Sequence, residues 1–121
     1  MLEIAVVMLF SQHVMEPVAE GTASYYTVNS SSRTTASGER FRDDGFTCAM
    51  LDGEFGNYYL VVAENGNSVV VRLNDRGPYH GGRVIDLSKA AMRELHPQAG
   101  LLEVEIYELG PRIPPGIRSL N

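Results

Sequence analysis

The sequence predicts a mainly β domain of many short strands with a closed-barrel habit and one or two short helices. Three observations carry this. Twelve glycines and six prolines among 121 residues cut the chain into short runs. Two apolar runs, Tyr58 to Ala63 (YYLVVA) and Ser68 to Leu73 (SVVVRL), flank Asn65-Gly66. An Asn-Gly pair in that setting signals a hairpin, because both residues of such a turn take positive φ. Finally, Leu102 to Leu109 (LEVEIYEL) alternates Leu102, Val104 and Ile106 with Glu103 and Glu105, the period of a strand with one wet face.

In chain order, residues 1–20 read as a leader or appended segment, 21–109 as the domain, and 110–121 (GPRIPPGIRSLN) as a Pro/Gly-rich tail. The apolar run Ile4 to Phe10 is too short to span a bilayer. It reads either as a minimal signal-peptide core or as an extra strand packed on the domain; Glu3 stands where a signal peptide carries positive charge. Thr22 to Val28, with Tyr25 and Tyr26, is rich in β-formers, and Phe46 to Leu51 and Val84 to Leu87 are further short strands. Ser88 is placed to cap a helix on which Leu87, Ala91 and Leu95 fall four apart, and Pro97 and Gly100 stop it. A chain of this length can bury one core without metal or disulfide staples.

Charge and cysteine usage remove whole classes of function. The formal net charge is −5, with a single lysine, Lys89, and no basic stripe, so nucleic acid is not an expected partner. Cys48 is alone, which excludes an intramolecular disulfide and any metal site built on several cysteines. His13 and His96 show no metal spacing with each other or with Cys48.

Three segments hold residues able to do chemistry. Glu39 follows the turn signal Ser37-Gly38; Asp75 lies between an apolar strand and Arg76-Gly77-Pro78; Asp86 ends an apolar run just before the helix. Carboxylates at strand ends can converge in a small barrel. A pair of them can work on a glycosidic bond, one protonating the leaving oxygen and the other accepting a proton or steadying positive charge. Each also has a structural reading: Asp75 as a turn-stabilising side chain, Asp86 as a favourable charge at the helix start.

The blocks GTASYY (Gly21 to Tyr26), RTTASGERF (Arg33 to Phe41), NGNSVVVRLNDRGPY (Asn65 to Tyr79) and RVIDLSKAA (Arg83 to Ala91) occur in the order of the signature blocks of the rare-lipoprotein-A (RlpA) family, which the chain resembles from about Gly21 to Leu109. The resemblance implies a six-stranded double-psi β-barrel and endolytic peptidoglycan lytic transglycosylase activity, a lyase reaction. The substrate it implies is the peptide-poor glycan strand of peptidoglycan, cut at the β-1,4 bond between N-acetylmuramic acid and N-acetylglucosamine. There the muramic acid's own C6 hydroxyl attacks C1 and leaves a 1,6-anhydro end. The family's functional Glu matches Glu39 and its functional Asp matches Asp75. Asp75 is then expected to do the acid–base work while Glu39 assists or holds the sugar, with the reverse assignment open. Asp86 matches an Asp of the related expansin and membrane-bound transglycosylase barrels and is a third candidate. No cofactor and no metal is called for. The resemblance places such a protein in the bacterial cell envelope, periplasmic or secreted; with no cysteine near the N-terminus, no lipid anchor is expected, nor is an integral membrane segment. Oligomeric state stays open.

Two positions depart from the family pattern next to these acids. Arg42 stands where members usually carry Asp, with Asp43 and Asp44 following, and Met50 stands where many carry His. A methionine neither relays a proton nor donates a strong hydrogen bond. The alternative is therefore a non-catalytic or expansin-like module that binds cell-wall glycan through the same groove. Further rivals are a hydrolase of a plant-type β-glucan and an interaction domain that dimerises through Cys48 or the apolar N-terminus. Around the acids, Arg76 and Arg83 can hold the carboxylates, Tyr25 or Tyr26 and Tyr79 can stack on sugar rings, and His80 can line the groove. Tyr25 and Tyr26 project to opposite faces of a strand, so at most one of them does so.

Overall fold

The structure, a computed structural model, describes residues 9–10, 13–14, 16–27, 34–42 and 44–117. Val28, Arg33 and Asp43 lie outside the described residues, as does most of the apolar N-terminal run. A short β1 (Leu9–Phe10) pairs antiparallel with β2 (His13–Val14) in a sheet of its own. The remaining elements are β3 (Ala19–Tyr26), β4 (Thr47–Ala49), β5 (Tyr58–Ala63), β6 (Ser68–Asp75), β7 (Arg83–Ser88), α1 (Lys89–Leu95) and β8 (Leu102–Gly110).

The last six strands close into a barrel in the order β3-β7-β4-β6-β5-β8. Two pairs are parallel, β3 with β7 and β4 with β6, and the other four neighbours run antiparallel. This is the six-stranded double-psi arrangement that the resemblance implied. Closure leaves no exposed sheet edge.

Alternation along each strand builds the core. Inward residues of β5 (Tyr59, Val61, Ala63) meet Val69, Val71 and Leu73 of β6, Ile85 and Leu87 of β7, and Val104 and Ile106 of β8. Leu73, Ile85, Leu87 and Ile106 are fully buried, and truncating one of them to Ala costs about 2–5 kcal/mol. Cys48 sits in this core at 0% exposure, where burial pushes its thiol pKa up, so it offers no surface for pairing with another chain. The outward residues Leu60, Val62, Val70 and Tyr107 form a second cluster, against which Ile113 and Ile117 of the C-terminal segment pack. The period-2 pattern fails at one position on β8. Glu105, expected on a wet face, is buried there and accepts a hydrogen bond from the Tyr107 hydroxyl at 2.7 Å.

The helix and hairpin signals hold with one change of detail. The Ser88 hydroxyl accepts the amide of Ala91, and α1 buries Ala91, Met92 and Leu95 against the barrel. Four residues, Glu64 to Asn67, connect β5 to β6, and the Ala63 amide donates to the Asn67 carbonyl at 2.8 Å, so the turn inside that bond has three residues rather than two. The Gly66 amide donates to the Ala63 carbonyl around Glu64 and Asn65, and Gly66 takes φ +90°, a conformation that favours glycine. Asn65 and Asn67 then donate to the Leu95 carbonyl at 2.9 and 3.0 Å, tying the hairpin to the end of the helix.

Candidate active site

The acids meet at one end of the barrel because of register. Ser24 of β3 pairs with Asp86 of β7; Asp86 pairs with Ala49 of β4; Ala49 pairs with Asp75 of β6. Paired residues on adjacent strands share a face, so these four form one row across four strands. Asp75 and Asp86 flank Ala49, which puts their backbones roughly 10 Å apart at two strand spacings. A register shift between Cys48 and Ala49 leaves Asn74 as the extra residue of β6. Such a bulge re-aims side chains. Here Asn74 and Asp75 both bond the loop of residues 34–40.

That loop is a small hairpin, bridged from Thr34 to Arg40 and closed by the Thr35 amide on the Glu39 carbonyl at 2.7 Å. Asp75 anchors it. Its Oδ1 accepts the Ala36 amide at 2.8 Å and the Arg76 amide at 2.9 Å. The Ser37 amide adds a bond to the Asn74 carbonyl at 3.1 Å.

Glu39, at the end of this loop, is clamped. Arg72 donates to its two carboxylate oxygens at 2.6 and 2.8 Å, and Asn74 Nδ2 donates to Oε1 at 3.1 Å. The guanidinium holds the carboxyl pKa below its ordinary value, and the Asn74 bond adds to that. Arg72 was legible only as a lone charge in the apolar run SVVVRL; it continues the outward set Ser68, Val70, Arg72 of β6. Asp86 is the opposite case. Burial raises its carboxyl pKa, partly offset by the Ser24 hydroxyl at 3.1 Å and the charge of Arg83, while nearby Asp75 pushes it further up.

Two clefts lie beside this end of β6, and the chain neighbours of Asp75, Asn74 and Arg76, each line one of them. One, of about 260 Å³, is lined by Glu39, Arg40, Arg42, Phe46, Tyr58, Arg72 and Asn74 among others. The other, of about 270 Å³, is lined by Ser24, Tyr25, Arg76, Tyr79, His80, Arg83 and Asp86 with Gly77 and Pro78. The chain thus passes from one space to the other at Asp75: Asn74 lines the first cleft, and Arg76, just past the end of β6, lines the second.

The expected neighbours sort unevenly. Tyr25 lines the second cleft, and Arg93 stacks over its ring at 5.0 Å. Its partner Tyr26 is buried, donating or accepting with the Thr47 hydroxyl at 2.6 Å and meeting Phe41 edge-on. Tyr79 is 78% exposed, an open aromatic face, and His80 is exposed beside it. Among the described residues, Arg76 holds no carboxylate. It lies over the Phe55 ring at 4.2 Å and donates to the carbonyls of Met50, Asp52 and Gly53, pinning the segment after β4. Arg42 turns to Asp44 through two bonds of 3.1 and 3.2 Å. Met50 is 7% exposed and packs in the core, while its amide donates to the Asp75 carbonyl at 3.2 Å. Among the described residues, no cluster of His, Cys, Asp and Glu has the makings of a metal site, and no helix is long and apolar enough to cross a membrane.

Residues 18–106 match the family described as lytic transglycolase. The chain is 41% identical over 100 residues to the endolytic peptidoglycan transglycosylase RlpA of Neisseria meningitidis serogroup B, covering 81% of this chain and 42% of that protein. It is 45% identical over 96 residues to the probable endolytic peptidoglycan transglycosylase RlpA of Treponema pallidum, covering 78% of this chain and 30% of that one. The chain therefore spans less than half the length of these curated relatives. Among solved structures, the Streptomyces papain inhibitor superposes with a TM-score of 0.60 at 21% identity, over 78% of this chain and 96% of its own. An expansin of Clavibacter michiganensis superposes with a TM-score of 0.60 at 22% identity, over 80% of this chain and 52% of its own. At such identities the likeness is one of fold. The family match, the identity to RlpA proteins and the double-psi barrel agree: the chain belongs to the lytic transglycolase family.

Proposed function

We propose that this domain cleaves peptidoglycan glycan strands as a lytic transglycosylase in the bacterial cell envelope. The observation that carries the reading is the row Ser24, Asp86, Ala49, Asp75, which sets two carboxyls on one face, with Asp86 lining a cleft, in a chain of this family. The reaction needs a proton for the departing glycosidic oxygen and an acceptor for the C6 hydroxyl proton. Asp86, whose burial favours the neutral acid, suits the donor. Asp75, whose Oδ1 is already fixed by two amides, presents Oδ2 as the acceptor in a set orientation. Glu39 is held ionised by Arg72, so it serves by bonding sugar hydroxyls and steadying positive charge rather than by giving up a proton. Tyr25 and Tyr79 offer ring faces to the sugar, with His80 at the rim.

Peptide-free glycan strands incubated with the protein and analysed by mass spectrometry should yield products ending in 1,6-anhydro-muramic acid. Asp75→Asn and Asp86→Asn should yield none, and Glu39→Gln much less. Products with ordinary reducing ends would instead indicate hydrolysis.

A second reading is favoured by Met50 and Arg42. Met50 supplies no proton relay beside Asp75, and Arg42 stands where the family usually has an acid. On this reading the same clefts bind the strand without cutting it. A related expansin structure, a point mutant at 20% identity, holds cellohexaose. Binding of the strands by sedimentation with no anhydro product would select this reading.

A further inference from the structure

The chain is acidic, with a formal net charge of −5 and only ten Lys and Arg residues. Three of them, Arg40, Arg42 and Arg72, line the single cleft beside Glu39. Arg72 is committed to Glu39 through two short bonds. Arg42 reaches Asp44, but the two side chains are 70% and 74% exposed, and so open a pair is weak and readily exchanged. Arg40 is exposed, its backbone pairs with Thr34, and no hydrogen bond or ion pair engages its guanidinium among the described residues. The cleft beside Glu39 thus offers two guanidinium groups that no carboxylate clamps firmly; in the cleft beyond Asp75, Arg76 is spent on backbone carbonyls and the charge of Arg83 acts on Asp86.

We propose that this cleft binds a carboxylate of the glycan, with Arg40 as its main partner and Arg42 as its second, and that this contact sets the register of the strand. The proposal rests on peptidoglycan being the substrate. Of its two alternating sugars, only muramic acid bears a lactyl ether, whose carboxyl is free when no peptide is attached and an amide when one is. Guanidinium binds carboxylate through paired N–H bonds and gains far less from a neutral amide. The two glycosidic bonds of the repeat are alike at the bond itself, so the protein must tell them apart by a substituent. A cation at a constant distance from Asp75 does this, because the carboxylate recurs at every second sugar. The spacing is constant here: Asp75 anchors the Ala36 amide of the same loop that carries Glu39 and Arg40, and that loop is clamped again by Arg72 and Asn74 of the Asp75 strand. The cleft on the far side of Asp75, with Tyr25 and Tyr79 beside Asp86 and Arg83, then takes the neighbouring sugar.

The test compares peptide-free strands with the same strands whose muramic carboxyls have been converted to methylamides. Binding is read by sedimentation and cleavage by mass spectrometry, for the wild type, Arg40→Gln, Arg42→Gln and, as a surface-charge control, Lys89→Gln. The wild type should bind the free-acid strands about tenfold more tightly, the scale of one lost charge-assisted contact. Arg40→Gln should abolish that preference, Arg42→Gln should reduce it, and Lys89→Gln should keep it. Equal binding of both strands by the wild type, or a preference that survives in Arg40→Gln, overturns the proposal. If both strands are cut alike, the proposal falls and the transglycosylase reading stands. If neither is cut but the Arg40-dependent preference remains, the proposal stands and the catalytic reading falls. Binding to neither strand removes both.

Discussion

On one side of Asp75, Glu39 gives both carboxylate oxygens to Arg72 and one of them also to Asn74; on the other, Asp86 accepts from the Ser24 hydroxyl and is half-buried. The two carboxyls sit at the same end of one barrel, yet their environments push their pKa values in opposite directions. Pairing favours the charged form and desolvation the neutral one. Two acids separated in this way can hold different protonation states at one pH, which acid–base chemistry on a glycosidic bond requires.

The sharpest way to break the comparison is at the residue between the clefts. Asp75→Asn keeps an oxygen for the Ala36 and Arg76 amides but loses the proton acceptor, so cleavage should fall by about 10²–10⁴-fold. Thermal unfolding should change little, and a large loss of stability would mean that the charge, not the chemistry, is what the site needs. Next comes Asp86→Asn, which should abolish the proton donor and yet stabilise the fold at neutral pH. A carboxyl whose folded-state pKa is raised contributes stability below its unfolded value and loses it as pH rises through the folded value. The gain in melting temperature should therefore be present at pH 7 and absent at pH 3; a loss at pH 7 would contradict the burial argument.

Arg72→Met probes the other acid and should have the reverse pH signature. A carboxyl with a lowered folded-state pKa contributes stability above its unfolded value and loses it as pH falls through the folded one. The pair is partly exposed, with side chains 30% and 42% accessible, so the loss at neutral pH should be only about 1 kcal/mol. It should vanish in acid, as denaturant melts at the two pH values would reveal. Smallest is Ser24→Ala. Removing the hydroxyl takes away a bond that favours the charged form of Asp86, so the alkaline limb of the activity profile should move to higher pH. Movement to lower pH would place the proton donor elsewhere.

Local patterning determined much of this molecule. The runs of β-branched residues, the Asn65-Gly66 turn signal and the Ser88 cap specify strands, a hairpin and a helix start because those rules depend on residues only a few positions apart. The four blocks that resemble the RlpA family marked Glu39 and Asp75 for the same reason, each block being local. What only the tertiary structure decided is which charges meet. Arg76, next to Asp75 in the chain, points to the carbonyls after β4, whereas Arg72, four residues from Arg76, holds a carboxylate 33 positions away. The burial of Glu105 goes with its bond from Tyr107 and its place on β8 between β3 and β5. The row from Ser24 to Asp75 exists through strand register alone, and register follows from barrel closure and a bulge at Asn74, properties of the whole sheet that no short stretch of sequence contains.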